Sequence, residues 1–239
     1  MLARDQIQTN RSEAQFVLKD VTNDPFMLHQ ANLLVAQTYK GFTDGSLDLD
    51  DVYQELCVSD YLNKGLARTL ALYGEHPITG VEQMLGTIRI MMADESKDTA
   101  DNLEIKEILE IEGGWDKFTF EGFNEHQAIE FGRLCIAFPF ANGKLKEKGF
   151  YLDIIRNLVA GAFSLSKTKY GKDQAWAIMR DHVARAVMKS GIEVIKVPDV
   201  GIKLDGNREI FTRYQRYWVL NKIGFYKILP DECPNVSFS

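Results

Sequence analysis

The spacing of apolar positions changes several times along the chain, and each change marks an element. Gln15–Lys19 (QFVLK) is short and rich in β-formers, which predicts a first strand. Asp24 followed by Pro25 reads as an N-cap with proline at the first helical position. Met27, Ala31, Leu34, Val35 and Thr38 then recur at helical spacing, and Gly41 ends that helix. Asp50 and Asp51 open a second helix reaching about Leu62. Ala67–Tyr73 (ARTLALY) and Met84–Met92 (MLGTIRIMM) read as strands. The intervening GEHPITG carries hairpin residues, so the two are expected to be antiparallel. Leu103–Ile111 reads as a short acidic amphipathic helix stopped by Gly113 and Gly114.

The second half alternates more regularly. Ala128–Phe138 (AIEFGRLCIAF) is long and mostly apolar, as a central strand buried on both faces would be. From Gly149 to about Tyr170, Ile154, Leu158 and Ala162 form one helical row, and Tyr151, Ile155, Val159 and Phe163 form the next. A strand at Gln174–Met179, a helix at Asp181–Ser190 ended by Gly191, and a strand at Ile192–Val197 follow. The tail holds one more strand, at Tyr217–Leu220 or Phe225–Leu229. The order β-α-α-β-β-(α)-β-α-β-α-β-β predicts an α/β chain with one mixed sheet of about seven strands and helices on both faces. Residues 1–13 read as a polar arm. No linker-like shift in composition divides residues 14–239, which are expected to form one domain.

Composition narrows the function classes. Of the 239 residues, 45% are hydrophobic and 26% charged, which argues against disorder. A net charge of −6 argues against a dedicated nucleic-acid binder, which needs a basic footprint. Three cysteines without a CxxC pair, and four histidines, point to neither a disulfide framework nor a metal site. No signal-like segment and no apolar run of the roughly 18 residues that span a bilayer occur, so the expected location is the cytoplasm. The charge is uneven. From Lys144 to Lys189 there are ten basic and four acidic residues, a net of about +6, which leaves about −12 for the rest. Such a segment is either a set of solvated helix faces or an anion-docking surface.

Three segments add a resemblance. Gly86-Thr87-Ile88-Arg89, Leu103–Leu109 (LEIKEIL) and Ile129-Glu130-Phe131-Gly132-Arg133-Leu134 occur in that order. With the order of elements, they make the chain resemble the GCN5-related N-acyltransferase superfamily. The closer likeness is to its acyl-homoserine-lactone (autoinducer) synthase and N-acyl amino acid synthase branch. It covers about residues 60–200. Ahead of the first signature strand the homoserine-lactone synthases carry an Arg/Phe/Trp pattern and an acidic pair. Here TYKGFTDGSLDLDDVYQE offers Asp48, Asp50 and Asp51 but neither the Arg nor the Trp. Of the family's pyrophosphate loop, the stretch from Lys146 to Tyr151 keeps only Gly149, a departure that fits users of an acyl carrier protein.

The resemblance implies an N-acyltransferase that moves an acyl chain from an acyl carrier protein, or acyl-CoA, to the amine of an amino acid or related small molecule. No cofactor would be permanently bound. Alternatives are an acyl-homoserine-lactone synthase, an acetyl-CoA-dependent acetyltransferase, and a non-catalytic acyl-binding protein. The donor's pantetheine arm would pair with the edge of the central strand at Leu134, Ile136 and Phe138. Lys144, Lys146, Lys148, Gly149 and Tyr151, at the start of the long helix, would take a phosphate. Glu130 inside an apolar strand is costly unless paired; it reads as a general base or as one half of an ion pair with Arg133 or Arg89. Arg89 could alternatively bind an acceptor carboxylate. Strand alternation sets Glu130 and Arg133 on opposite faces, and a bulge at Gly132 would reunite them. Cys135, His126 and His182 read as structural. The aromatics at Phe138, Phe140, Phe150, Tyr151 and Phe163 read equally as an acyl tunnel or as helix–sheet core.

Overall fold

The computed structural model describes residues 16–40, 48–57, 65–76, 79–93, 103, 105–106, 109–111, 114, 118, 120–137, 148–202, 223–230 and 236–238. The polar arm at 1–13, the candidates Phe138, Lys144 and Lys146, and the strand candidate at 217–220 lie outside them.

Strand β1 (Phe16–Asp20) is followed by helices α1 (Pro25–Lys40) and α2 (Leu49–Cys57). Asp24 Oδ1 accepts the Phe26 and Met27 N–H groups and so caps α1, as its place before Pro25 predicts. Asp48 does the same for α2 through the Asp51 N–H, two residues earlier than expected. Strands β2 (Ala67–Glu75) and β3 (Glu82–Met92) form the predicted antiparallel hairpin. Then come β4 (Leu109–Ile111), β5 (Ala128–Ile136), α3 (Lys148–Tyr170), β6 (Gln174–Arg180), α4 (Asp181–Lys189) and β7 (Glu193–Lys196). Strands β8 (Val200–Ile202), β9 (Ile223–Leu229) and β10 (Val236–Phe238) follow.

The main sheet has eight strands in the order β10-β1-β2-β3-β5-β6-β9-β7, one more than expected. The addition is β10, which pairs parallel to β1. Of the acidic helix foreseen at Leu103–Ile111, Ile105 and Lys106 are helical, and the prediction fails at its C-terminal end. Leu109–Ile111 is a strand, paired with Val200–Ile202 in a separate two-stranded sheet. Leu103 and Ile105, two residues apart, are both fully buried beside Trp176 and Phe225.

Helices cover both faces. Ile154, Leu158 and Val159 of α3 pack on Leu70, Leu72, Ile88 and Ile129. On the opposite face, Val35 and Ala36 of α1 and Val52 and Leu56 of α2 pack around Cys135. Gly86 explains the glycine in its motif. A Cβ there would lie 2.7 Å from the Cys135 carbonyl oxygen and 2.9 Å from Leu158 Cδ1. At Gly132 the nearest atom is the flexible end of Met91, at 3.2 Å. Gly86→Ala is therefore expected to lower stability by about 1–3 kcal/mol. Gly132→Ala should cost clearly less, and urea midpoints of the two variants check the order.

Candidate active site

The central strands part company inside the sheet. β5 and β6 run parallel and are joined at Ala128–Gln174, Ile129–Ala175 and Glu130–Trp176. β5 then continues along β3 to Ile136, and β6 continues along β9 to Arg180. Among the described residues no ladder joins β5 and β6 beyond Glu130. The two strands thus form a V with Glu130 at its vertex, leaving one edge of β5 beside an opening.

A bulge lies just past the vertex. Arg89 pairs with Gly132 and Thr87 with Cys135, so Arg133 and Leu134 both stand opposite Ile88. Arg133 has a φ of 54°, in the left-handed region. For a residue with a Cβ that conformation costs about 1–2 kcal/mol. The bulge shifts the alternation by one residue, which puts Cys135 on the α1/α2 face together with Arg89. The Arg133 side chain turns to that face too, and its Nε donates to the Leu56 carbonyl at 3.3 Å.

Arg89, 2% exposed, reaches the same carbonyl. Its Nη1 donates to Leu56 O at 3.0 Å, and its Nη2 donates to Asn32 Oδ1 at 3.2 Å and Cys57 O at 3.3 Å. Two guanidiniums therefore hold the C-terminal end of α2, whose carbonyls lack helical partners and carry the negative end of the helix dipole. The sequence showed neither this clamp nor Asn32. A readable sign was there, an asparagine in the middle of an apolar helical stripe.

Glu130 is 3% exposed, and its Oε2 accepts the Ile105 N–H at 2.9 Å. The carboxylate thus anchors the segment crossing above β5 and β6, at the vertex of the V. Leu134, Ile136 and Tyr151 are half-buried against the α3-side core. Lys148 and Gly149 form the first turn of α3. Phe150 meets Phe16 at a ring distance of 6.0 Å, which fixes that turn at the end of the sheet where β5 finishes. Its leading N–H groups have no intrahelical acceptor.

The basic segment is divided between the two ends of the sheet. Lys169 pairs with Asp20 at 3.7 Å, and Lys172, 4% exposed, donates to the His126 carbonyl at 2.7 Å. Both lie at the far end from the V. Arg180, His182 and Arg185 lie where β6 finishes, at the open end. Burial first, then the Arg180 and Arg185 charges, lower the His182 pKa. Cys135 is buried, and desolvation pushes its thiol up to about 12, consistent with a packing role. Among the described residues no group of three His, Cys, Asp or Glu could hold a metal, and no helix is long and apolar enough to cross a membrane.

A cleft of about 900 Å³ opens on the α1 face, between α1, the β2–β3 hairpin and the Ile136–Ala137 end of β5. Nothing in the sequence pattern marked it, because its walls come from three separate elements.

No protein-family model matches the sequence. No curated protein matches it either. The chain is similar to solved acetyltransferase and acyl-homoserine-lactone synthase structures. With spermidine N-acetyltransferase from Vibrio cholerae, in complex with CoA and spermine, it shares 14% identity over 90% of this chain and 94% of that one, at a TM-score of 0.45. The synthase LasI gives 13% identity over 91% and 89%, at 0.46. The CoA-dependent acyl-homoserine lactone synthase BjaI, with MTA, gives 12% over 95% and 93%, at 0.49.

Two outcomes test this geometry. Arg89→Leu should destabilise the protein by about 2–4 kcal/mol, because it strips charged donors from buried carbonyls. Arg89→Lys should recover only part of that, since an ammonium cannot fork to Leu56, Cys57 and Asn32 together; denaturant midpoints give the comparison. With its thiolate fraction near one in ten thousand at pH 8, by order of magnitude, Cys135 should stay unmodified by iodoacetamide in the native protein. Mass spectrometry of the digested chain reads that directly.

Proposed function

We propose that this protein is an N-acyltransferase that moves an acyl group from a pantetheine-bound thioester to a small-molecule amine. The observation that carries the reading is the parting of β5 and β6 directly after Glu130. An extended pantetheine arm has amide groups that can pair with a strand edge, and the edge of β5 at Leu134 and Ile136 offers one. The first turn of α3, at Lys148, Gly149 and Tyr151, suits the phosphate at the arm's far end, and Lys144 and Lys146 shortly precede it in the sequence.

In this reading the thioester carbon lies near the bulge. The amine attacks it, and Glu130 takes the amine's proton, directly or through a water. The peptide turned at Arg133 supplies an N–H to the tetrahedral oxyanion. The carbon–sulfur bond then breaks, the thiolate leaves and is protonated, and the new amide remains. Arg133 acts as a positioning residue that holds the bulge against α2. Arg89 was a candidate for the acceptor carboxylate; its terminal nitrogens are already engaged by Leu56, Cys57 and Asn32, so the reading makes it a brace.

The donor favoured is an acyl carrier protein. Arg180 and Arg185 at the open end of the V supply positive charge where a small acidic partner would dock, and opposite fields speed such encounters. Lys169 and Lys172 of the same segment lie at the opposite end.

Thiol release from octanoyl-carrier protein and octanoyl-CoA, with and without a panel of amines, tests the reading. Release should depend on amine, be faster with the carrier protein and fall as salt rises. Glu130→Gln keeps an oxygen for the Ile105 N–H and loses the base. It should lower kcat about 100-fold or more with an unchanged melting temperature. Reversing Arg180 and Arg185 to Glu should raise KM for the carrier protein alone. No amine-dependent release from any donor would sink the acyltransferase reading. Salt-independent, equal rates with acetyl-CoA would sink the carrier-protein part.

A further inference from the structure

We propose that the cleft between α1 and the β2–β3 hairpin is the acceptor site, and that it takes an amine with an uncharged, amide- or hydroxyl-bearing body rather than a free amino acid. The proposal rests on the acyl-transfer reading and adds the acceptor's chemical class.

The cleft is placed for this role. It opens on the α1 face and ends at Ile136 and Ala137, the stretch of β5 that follows the bulge. Its volume of about 900 Å³ suits a small-molecule ligand, for which pockets run to roughly 300–1,000 Å³. One wall is a single face of α1, where Gln30, Leu33, Leu34 and Gln37 recur at helical spacing. The other comes from the hairpin, with Tyr73, Gln83 and Met84.

The chemistry of the walls selects the ligand. Leu33, Leu34 and Met84 give an apolar surface, and three glutamines give amide donors and acceptors. Among the described lining residues the one formal charge is Glu82. Lys19 stands 3.8 Å from that carboxylate and 4.6 Å above the Tyr73 ring, so the nearest cation already has an anion. An α-carboxylate entering here would lose its water, meet no unclaimed guanidinium or ammonium among the described lining residues, and approach a like charge. Arg89, the buried cation on this face, points to the end of α2 instead.

Two buried donors point the same way. Tyr73 Oη and Gln83 Nε2 have no hydrogen-bond partner among the described residues, although both side chains border the cleft. Burial, with Asp24 and Glu82 nearby, raises the Tyr73 pKa, so the phenol keeps its proton at neutral pH. A buried donor without an acceptor costs about 1–3 kcal/mol. A turn of either side chain toward the cleft would let a carbonyl or hydroxyl oxygen on the ligand relieve that cost, and a site built this way rejects ligands that cannot.

Leucinamide and leucine differ only in amide against carboxylate and serve as the probes. Calorimetry of the full chain without donor should show leucinamide binding at least about tenfold more tightly than leucine. Tyr73→Phe and Gln83→Leu should each weaken leucinamide about 3–10-fold, as loss of one neutral hydrogen bond does. With donor present they should raise its KM and leave kcat alone, at wild-type melting temperatures. Leucine binding as tightly as leucinamide would overturn the proposal, as would leucinamide affinity unchanged in both folded variants. Leucinamide binding that both variants weaken, with no thiol release from any donor, supports the ligand class and overturns the acyl-transfer reading. Amine-dependent release that neither variant affects keeps that reading and overturns the assignment of the cleft.

Discussion

The carbonyl of Leu56 accepts hydrogen bonds from two guanidiniums, one on each of two neighbouring strands. That shared acceptor fixes three things together. It ends α2 over the centre of the sheet, it holds Arg133 in a backbone conformation it would otherwise avoid, and through Arg89 it ties in Asn32 of α1. A carbonyl at a helix C-terminus suits the task. It carries partial negative charge, so buried cations are stabilised without a second full charge, and helical geometry aims it. The strain at Arg133 persists because the clamp over-determines it.

The bulge and the vertex then follow as one unit. With regular alternation, Arg133 and Cys135 would face α3, and the α2 end would have neither its second guanidinium nor its thiol packing partner. The extra residue reverses that and bends β5 where β6 leaves it. Sequence reasoning could anticipate a bulge near Gly132, because Glu130 and Arg133 otherwise fall on opposite faces. It could not find Leu56 or the Ile105 amide, since backbone groups have no signature in the chain.

Elements with strong local signals were legible. Asp24-Pro25 marked the start of α1, the two apolar rows marked α3, and the GEHPITG turn marked the hairpin. At Leu109–Ile111, where a helix was expected to continue, pairing with Val200–Ile202 makes a strand, and that partner lies far away in sequence. Charge was legible in total and misleading in detail. Ten basic residues within one stretch imply a single face only if the stretch stays on one side. A long helix carried Lys169 and Lys172 to the end opposite Arg180 and Arg185.

The pairing of β1 with β10 has a consequence for how the chain is made. Phe16, Val17 and Leu18 lie beside Val236, Ser237 and Phe238, the most distant partners in sequence in the whole sheet. Contacts of that separation close the largest loop and form late. Until residues 236–238 have been synthesised, the outer edge of β1 lacks the strand that covers it in the finished sheet. An uncovered edge is where another chain can add, so the nascent protein passes through an interval in which the five-residue β1 edge is open, whereas the folded one presents only the three-residue β10 there.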